Sequence, residues 1–560
     1  MRKAVLAGAL AAAAFGVIGA PSAGSAPQEY VVLFKRGVSA AEGRVAVQDA
    51  GGRVVRANAR IGVATVRSSN ADFAADAARE AAIAGIAPNK AIGHAPRPRV
   101  WQAHWGIERN ALGHAGRQRF THSAPKDEPF APQQWDMKML GATAAGSYRR
   151  QPASKQVRVG VIDTGIDASH PDIAPNFDSR LSRNFVIDIP AIDGPCEVPT
   201  CQDPANVDQG GHGTHVAGTV GAAINRIGIA GVAPKVDLVN LRAGQDSGFF
   251  FLQPAVDALT YAGDHGIDVV NMSFYIDPWL YNCASYPGDS PLEQAQQRTI
   301  IAATQRALDY ARERGVTLVS ALGNEDDDLG APEPDTTSPD FPPGMERTRN
   351  VDNSCLSMPT EGAGVVGVSA VGPSKRKSFY SNYGVEQTDV SAPGGDSFDT
   401  ATGLKNPANR ILAPYPEAAL KEECAQTPDL CTLNADGTPN TPLVVQSKDD
   451  PHVYWRWLQG TSMASPHAAG VAALVVAQYG HRDPGHGGVT LKPSRVERIL
   501  RRTATDTPCP TPRRYDYGVI TGDPETDDAF DADCAGSPQR NGFYGDGIVN
   551  ALAAVSRHKH

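Results

Sequence analysis

Three short segments carry residue types that together can cleave an acyl bond. Val161-Ile162-Asp163-Thr164-Gly165 sets Asp163 at the end of an apolar run. Gly211-His212-Gly213-Thr214-His215-Val216-Ala217-Gly218-Thr219 places His212 at the opening of a helical stretch. Gly460-Thr461-Ser462-Met463-Ala464-Ser465-Pro466-His467 places Ser462 at the start of a long apolar one. A serine hydroxyl is a poor nucleophile until a neighbouring imidazole takes its proton. The imidazole needs a carboxylate to fix its tautomer and stabilise its charged form. A helix start adds free N–H groups and the positive end of the dipole, both suited to an oxyanion.

Each segment also has a plainer reading: Asp163 as a turn or helix cap, Ser462 as an N-cap. Two other chemistries are poorly served. Acid proteolysis needs two carboxylates sharing a proton. The formal second Asp-x-Gly, Asp246-Ser247-Gly248, follows Ala243-Gly244-Gln245 rather than an apolar strand. His212 and His215 lack the His-Glu-x-x-His arrangement of zinc proteases.

The elements that must position these residues read as an alternation. Val157–Ile162, Val236–Leu241, Val269–Met272, Val316–Ala321 and Val365–Ala370 are mostly apolar runs, expected as strands buried on both faces and hence parallel. Helical stretches are expected over Gly213–Ala223, Pro254–His265, Thr299–Arg314 and Met463–Tyr479. The pattern predicts an α/β, doubly wound, mostly parallel sheet, with the site at the carboxyl ends of its strands. Residues 27–95 read as a separate small α+β unit. Its strands are near 29–34, 52–56 and 61–66, its helices over 39–49 and 70–84, with a closing strand within 86–95. That order fits a ferredoxin-like sandwich. Residues 96–126 form a polar linker or cleavable spacer, with His94, His104, His114 and His122 near the junction.

Arg2 and Lys3, the apolar run Ala4–Ala20 and the small residues before Pro27 have the layout of a secretory signal peptide over 1–26, not of a membrane anchor. Export makes the eight cysteines a disulfide framework. Locality favours Cys196–Cys201, Cys283–Cys355, Cys424–Cys431 and Cys509–Cys534, and no C-x-x-C pair suggests zinc. A net charge of −9 provides no global basic field for nucleic acid.

The chain order Asp, His, Ser and the segments at 212–219 and 460–467 resemble the subtilisin-like serine proteases (the peptidase S8 family), over roughly Gln133 to Val555. The resemblance implies that Asp163 orients the base, His212 is the general base and acid, and Ser462 is the nucleophile. Ser320-Ala321-Leu322-Gly323-Asn324-Glu325 is similar to the family's oxyanion segment, which implies Asn324 as a side-chain donor. The resemblance further implies a structural calcium held by Asp172, Asn225 and the carbonyls of Ala223, Ile227 and Ile229, with Asp127 or Glu128 as a further ligand. No catalytic cofactor is implied.

Residues 27–95 are similar to the family's propeptide, a folding aid and intramolecular inhibitor. The catalytic domain is then 127–560, with insertions at about 277–299 and 396–455. The family's Ser-Leu-Gly-Gly edge is replaced by Ser273-Phe274-Tyr275-Ile276, so a narrowed or reshaped primary pocket is expected. Phe249, Phe250 and Phe251 are open to two roles, lining a pocket or packing. Asp326, Asp327 and Asp328 would either favour basic substrate residues or form a solvated acidic loop. The whole reads as a secreted, monomeric serine endopeptidase made as a zymogen and acting on proteins or peptides. The alternatives are a non-catalytic binder on the same fold and a dedicated processing protease.

Overall fold

A computed structural model describes residues 27–89, 128–342, 344–401, 405–427, 431–517 and 530–556. The expected signal peptide, the 96–126 spacer with its histidines, and Asp127 lie outside them.

The first unit runs β1 (Gln28–Phe34), α1 (Ala40–Asp49), β2 (Gly52–Asn58), β3 (Val63–Ser68), α2 (Phe73–Ala77) and β4 (Ile83–Pro88). Its antiparallel sheet has the order β2-β3-β1-β4. Ser39 opens α1 with a capping box through Glu42. The second helix is shorter than expected and the closing strand begins sooner. Gly85 is not a helix stop. It lies in β4 where a Cβ would come within 2.5 Å of Thr299 Oγ1, so a side chain there would push the strand off the neighbouring helix.

In the second unit the expected alternation forms a seven-stranded parallel sheet. Its strands are β5 (Arg158–Ile162), β6 (Arg183–Asn184), β7 (Asp237–Arg242), β8 (Val269–Met272), β9 (Thr317–Ala321), β10 (Val365–Val371) and β11 (Val390–Pro393), in the order β11-β10-β9-β8-β5-β7-β6. On one face pack α3 (His212–Gly221) and α6 (Thr461–Tyr479), through Val216, Val220, Ala468, Val471 and Val475. On the other pack α4 (Leu252–Asp264) and α5 (Pro291–Glu313), through Val256, Leu259, Ala303 and Leu308. Residues Thr461 to Val476 of α6 are all buried, as a helix apolar on all sides must be.

The insertion expected over 277–299 ends early. Ser290 caps α5 and Glu293 completes the box, so Pro291 onward is helix. Within 396–455, β12 (Ile411–Tyr415) pairs with Tyr454–Leu458 in a three-stranded antiparallel sheet. All four disulfides that locality favoured are formed.

The small unit lies against α4 and α5. Val31, Leu33, Ile61, Val63 and Ala87 join the core of those two helices. Asn58 Nδ2 donates to Asp257 Oδ1 at 2.8 Å and Thr260 Oγ1 at 2.7 Å, Arg56 pairs with Asp257 at 2.8 Å, and Arg306 donates to Phe34 O at 2.7 Å.

Candidate active site

Asp163 stands at the carboxyl end of β5, fully buried. Its Oδ1 accepts the N–H of Thr164 at 2.8 Å and faces His212 Nδ1 at 2.7 Å. With Nδ1–H donated to the carboxylate, the lone pair sits on Nε2. Gly211 turns the chain into α3 at φ 81°. Gly213 lets that helix start press onto the Asp163 turn, since a Cβ there would come within 2.1 Å of Gly165 O. The sequence reading missed the residue that fastens these segments. Asp208 Oδ1 accepts from Thr164 Oγ1 and Gly211 N at 2.9 Å each, and its Oδ2 accepts from Thr214 N at 2.9 Å and Thr214 Oγ1 at 2.6 Å. Its only sequence signal is a carboxylate four residues before the histidine.

Ser462 is the second residue of α6, 5% exposed. Its carbonyl and Ser465 Oγ are held by Ser273 Oγ, just beyond β8, at 3.3 and 2.8 Å. Asn324 follows β9. Its Oδ1 accepts from Thr461 N at 2.9 Å and Thr461 Oγ1 at 3.0 Å, which leaves the NH2 as the donating half of the amide. Asn382, also unforeseen, fixes this segment. Its Oδ1 accepts from Glu325 N and Asp327 N at 2.9 Å each, and its Nδ2 donates to Glu325 Oε2 at 2.6 Å. His212, Ser462 and Asn324 line one cavity of about 60 Å³. The arrangement has a buried carboxylate on an imidazole, a hydroxyl at a helix start and an amide donor beside it, the set that acyl transfer to a hydroxyl requires.

The same cavity is lined by Phe250, Phe274, Tyr275 and Asp277. Phe250 stacks on Phe274 at 4.2 Å, whereas Phe249 and Phe251 pack on Phe341. The aromatic run therefore divides between the two roles. Tyr275 sits in the cavity wall with its hydroxyl bonded to Asp340, while Ile276 is buried in the core. Burial pushes the Asp277 carboxyl up, and the facing Asp340 carboxyl pushes it further. The expectation of a solvated acidic loop is corrected for two of its three residues, Asp328 being half-buried. Asp326 and Asp327 are buried, Asp326 against Lys377 and Asp327 against the hydroxyl of Tyr281. Neither forms a solvated loop, and both charges are engaged inside. His215, the other histidine of the motif, faces the carbonyls of Ile411 and Arg456 at 3.1 Å each, and burial pushes it down to about 3, so it is neutral.

Asp172 and residues 223–229 are brought together, but their side chains do not form an oxygen cage for calcium. Asp172 Oδ1 accepts from Asn225 Nδ2 at 3.0 Å. Its Oδ2 accepts from Ile229 N at 3.0 Å and Trp455 Nε1 at 2.8 Å. Asn225 turns its NH2, not its oxygen, to Asp172, because Oδ1 accepts the N–H of Ile227 at 2.9 Å. Glu128 Oε1 accepts the N–H groups of Asn225 and Arg226 at 2.9 and 2.8 Å. Both oxygens of Asp172 and one of Glu128 are thus met by N–H donors, whereas calcium requires converging oxygens.

The Subtilase family pattern matches residues 154–531, well over half of the chain, and the chain belongs to that family. It is accordingly a serine-type endopeptidase, a hydrolase of peptide bonds. Subtilisin DY of Bacillus licheniformis is 28% identical over 350 residues, covering 62% of this chain and 84% of that one. The thermophilic serine proteinase of Bacillus sp. strain AK1 is 25% identical over 494 residues, covering 88% of this chain and 87% of that one. The crystal structure of the epidermin leader peptide processing serine protease of Staphylococcus aureus shares the fold, with a TM-score of 0.60 at 19% identity over 94% of this chain and 98% of that one.

Proposed function

We propose that the chain is an exported zymogen whose mature form hydrolyses peptide bonds through an acyl-enzyme on Ser462. The observation that carries the reading is the 2.7 Å contact between Asp163 and His212 in a cleft also lined by Ser462 and Asn324. His212 Nε2 takes the proton of Ser462 Oγ as the hydroxyl adds to the scissile carbonyl. The oxyanion forms against the Asn324 NH2 and the N-terminal end of α6. The imidazolium, stabilised by Asp163, gives its proton to the departing amine, and water then hydrolyses the ester with His212 again as base. A non-catalytic binder would not need all four groups.

The small unit at residues 27–89 acts in this reading as propeptide, docked on α4 and α5 through the Asn58 and Arg56 contacts with Asp257. It is released by cleavage between it and the catalytic domain. The apolar N-terminal run delivers the chain for export; among the described residues no helix is long and apolar enough to cross a membrane. A narrow substrate range goes with the cleft, where Phe250, Phe274 and Tyr275 occupy the wall and Tyr275 is tied to Asp340.

Peptide hydrolysis by the processed chain tests the assignment. Asn324→Ala should lower kcat by about 10²–10³-fold with KM little changed. That size is the one known for subtilisin's own oxyanion amide. Unchanged kcat would remove Asn324 from the mechanism.

A further inference from the structure

Away from the cleft, three aspartates surround the guanidinium of Arg242 and spend only half of each carboxylate on it. Arg242 has no exposed side-chain surface. It reaches Asp188 Oδ1 at 3.4 Å, Asp203 Oδ2 at 2.8 Å and Asp246 Oδ1 at 2.7 Å. The other oxygen of each, Asp188 Oδ2, Asp203 Oδ1 and Asp246 Oδ2, is buried and has no hydrogen-bond partner. The Asp188 and Asp203 side chains are only 1% exposed. Glu197 joins them from the surface, and one oxygen of each of the four lies within 4.8 Å of every other. Three aspartates thus share one guanidinium, with Glu197 close beside them, and a buried carboxylate oxygen without a donor is costly.

The chain builds this group deliberately from two places. Asp188, Glu197 and Asp203 belong to the loop between β6 and α3, which Cys196–Cys201 closes and in which Asp188 N donates to Cys201 O at 2.7 Å. Asp246 follows β7 on the strip that runs along the cleft to Gly248.

We propose that Asp188, Glu197, Asp203 and Asp246 hold a calcium-type divalent cation, with Arg242 as the internal clamp that orients the three aspartates. Calcium takes oxygens at about 2.4 Å, so ligands on opposite sides of one ion stand about 4.8 Å apart. One oxygen of each of the four carboxylates lies within that 4.8 Å span of the others, close enough for small side-chain shifts to bring them onto one ion. An all-carboxylate set with no fixed octahedral arrangement suits calcium, which tolerates flexible oxygen geometry, better than magnesium, which demands a near-ideal octahedron and keeps its waters. The cation would tie the disulfide-closed loop to the 243–248 strip. That strip touches the catalytic centre directly, since Ala243 N and Gly244 N donate to Asp163 O at 3.0 and 3.1 Å. It is a different place from Asp172 and residues 223–229, whose side chains are closed by N–H groups.

The test uses the full chain carrying Ser462→Ala, which prevents self-cleavage. Thermal unfolding is followed after chelator treatment and across added calcium chloride, with calcium titrated calorimetrically into the same protein. Expected is a saturable rise in Tm of several degrees, matched by heat of binding at one site. Glu197→Gln, a surface change that leaves the fold alone, and Asp246→Asn should each weaken binding by at least about tenfold, through loss of ligand charge. Asp172→Asn should leave calcium binding intact. Absence of both the Tm rise and the binding heat overturns the proposal. So does a calcium response that survives Glu197→Gln and Asp246→Asn but disappears in Asp172→Asn.

Discussion

Glu325 sits directly after Asn324, the proposed oxyanion donor, and its Oε2 accepts the backbone N–H of Asn324 at 2.9 Å. Burial pushes its carboxyl up to about 7, above the ordinary value near 4.5, with Asp327 adding to the rise. The folded state therefore holds a proton here more tightly than the unfolded chain does. The resulting destabilisation is complete above pH 7 and is relieved as pH falls through 7 toward 4.5. Glu325→Gln, which keeps an oxygen acceptor, should raise stability at pH 8–9 by on the order of 1–3 kcal/mol and lose that advantage near pH 5. Thermal unfolding across that range checks it. Asp163, His212, Ser462 and Asn324 stand out in the sequence because each occupies a fixed place in a dense local motif, and the fold brings them to one cleft. Asp208 and Asn382 do not, because a residue that fastens others by hydrogen bonds can stand anywhere that folding brings it close. Nor was the burial of Asp326 and Asp327 foreseen. A run of acidic residues reads as solvated until distant Lys377 and Tyr281 supply partners.

The sheet was readable at the level of elements because strands buried on both faces leave continuous apolar runs, and β5, β7, β8, β9 and β10 all fall on such runs. Helix limits were harder to place. The polar segment before Thr299 looks like surface insertion, yet Ser290 and Glu293 form a reciprocal cap at 3.3 and 2.7 Å and carry α5 back to Pro291. Ser290→Ala should cost about 1 kcal/mol, read as a lowered midpoint in denaturant unfolding with the slope unchanged. In the small unit, Ala-rich composition favoured a longer helix. Pairing of Phe34 with Ile83 instead starts β4 within the expected helix, and the chain turns between Ala77 and Ile83 to reach it, an instance of tertiary pairing overriding local propensity.

Across the molecule, a four-stranded α+β unit sits on the two helices of one face, while the site opens at the carboxyl ends of the parallel strands. If the catalytic centre itself removes that unit, Ser462→Ala should accumulate as the unprocessed chain when produced alone. Intact mass of the expressed product shows whether it does; efficient removal in that variant would assign processing to another protease. In the proposed mechanism Ser462 is made nucleophilic by His212 and Asp163. The most direct measurement is labelling of the processed chain with a fluorophosphonate, followed by peptide mapping of the adduct. One phosphonyl group on Ser462, absent after His212→Ala, is the outcome expected. No adduct, or an adduct on Ser462 that forms as fast without His212, would contradict it.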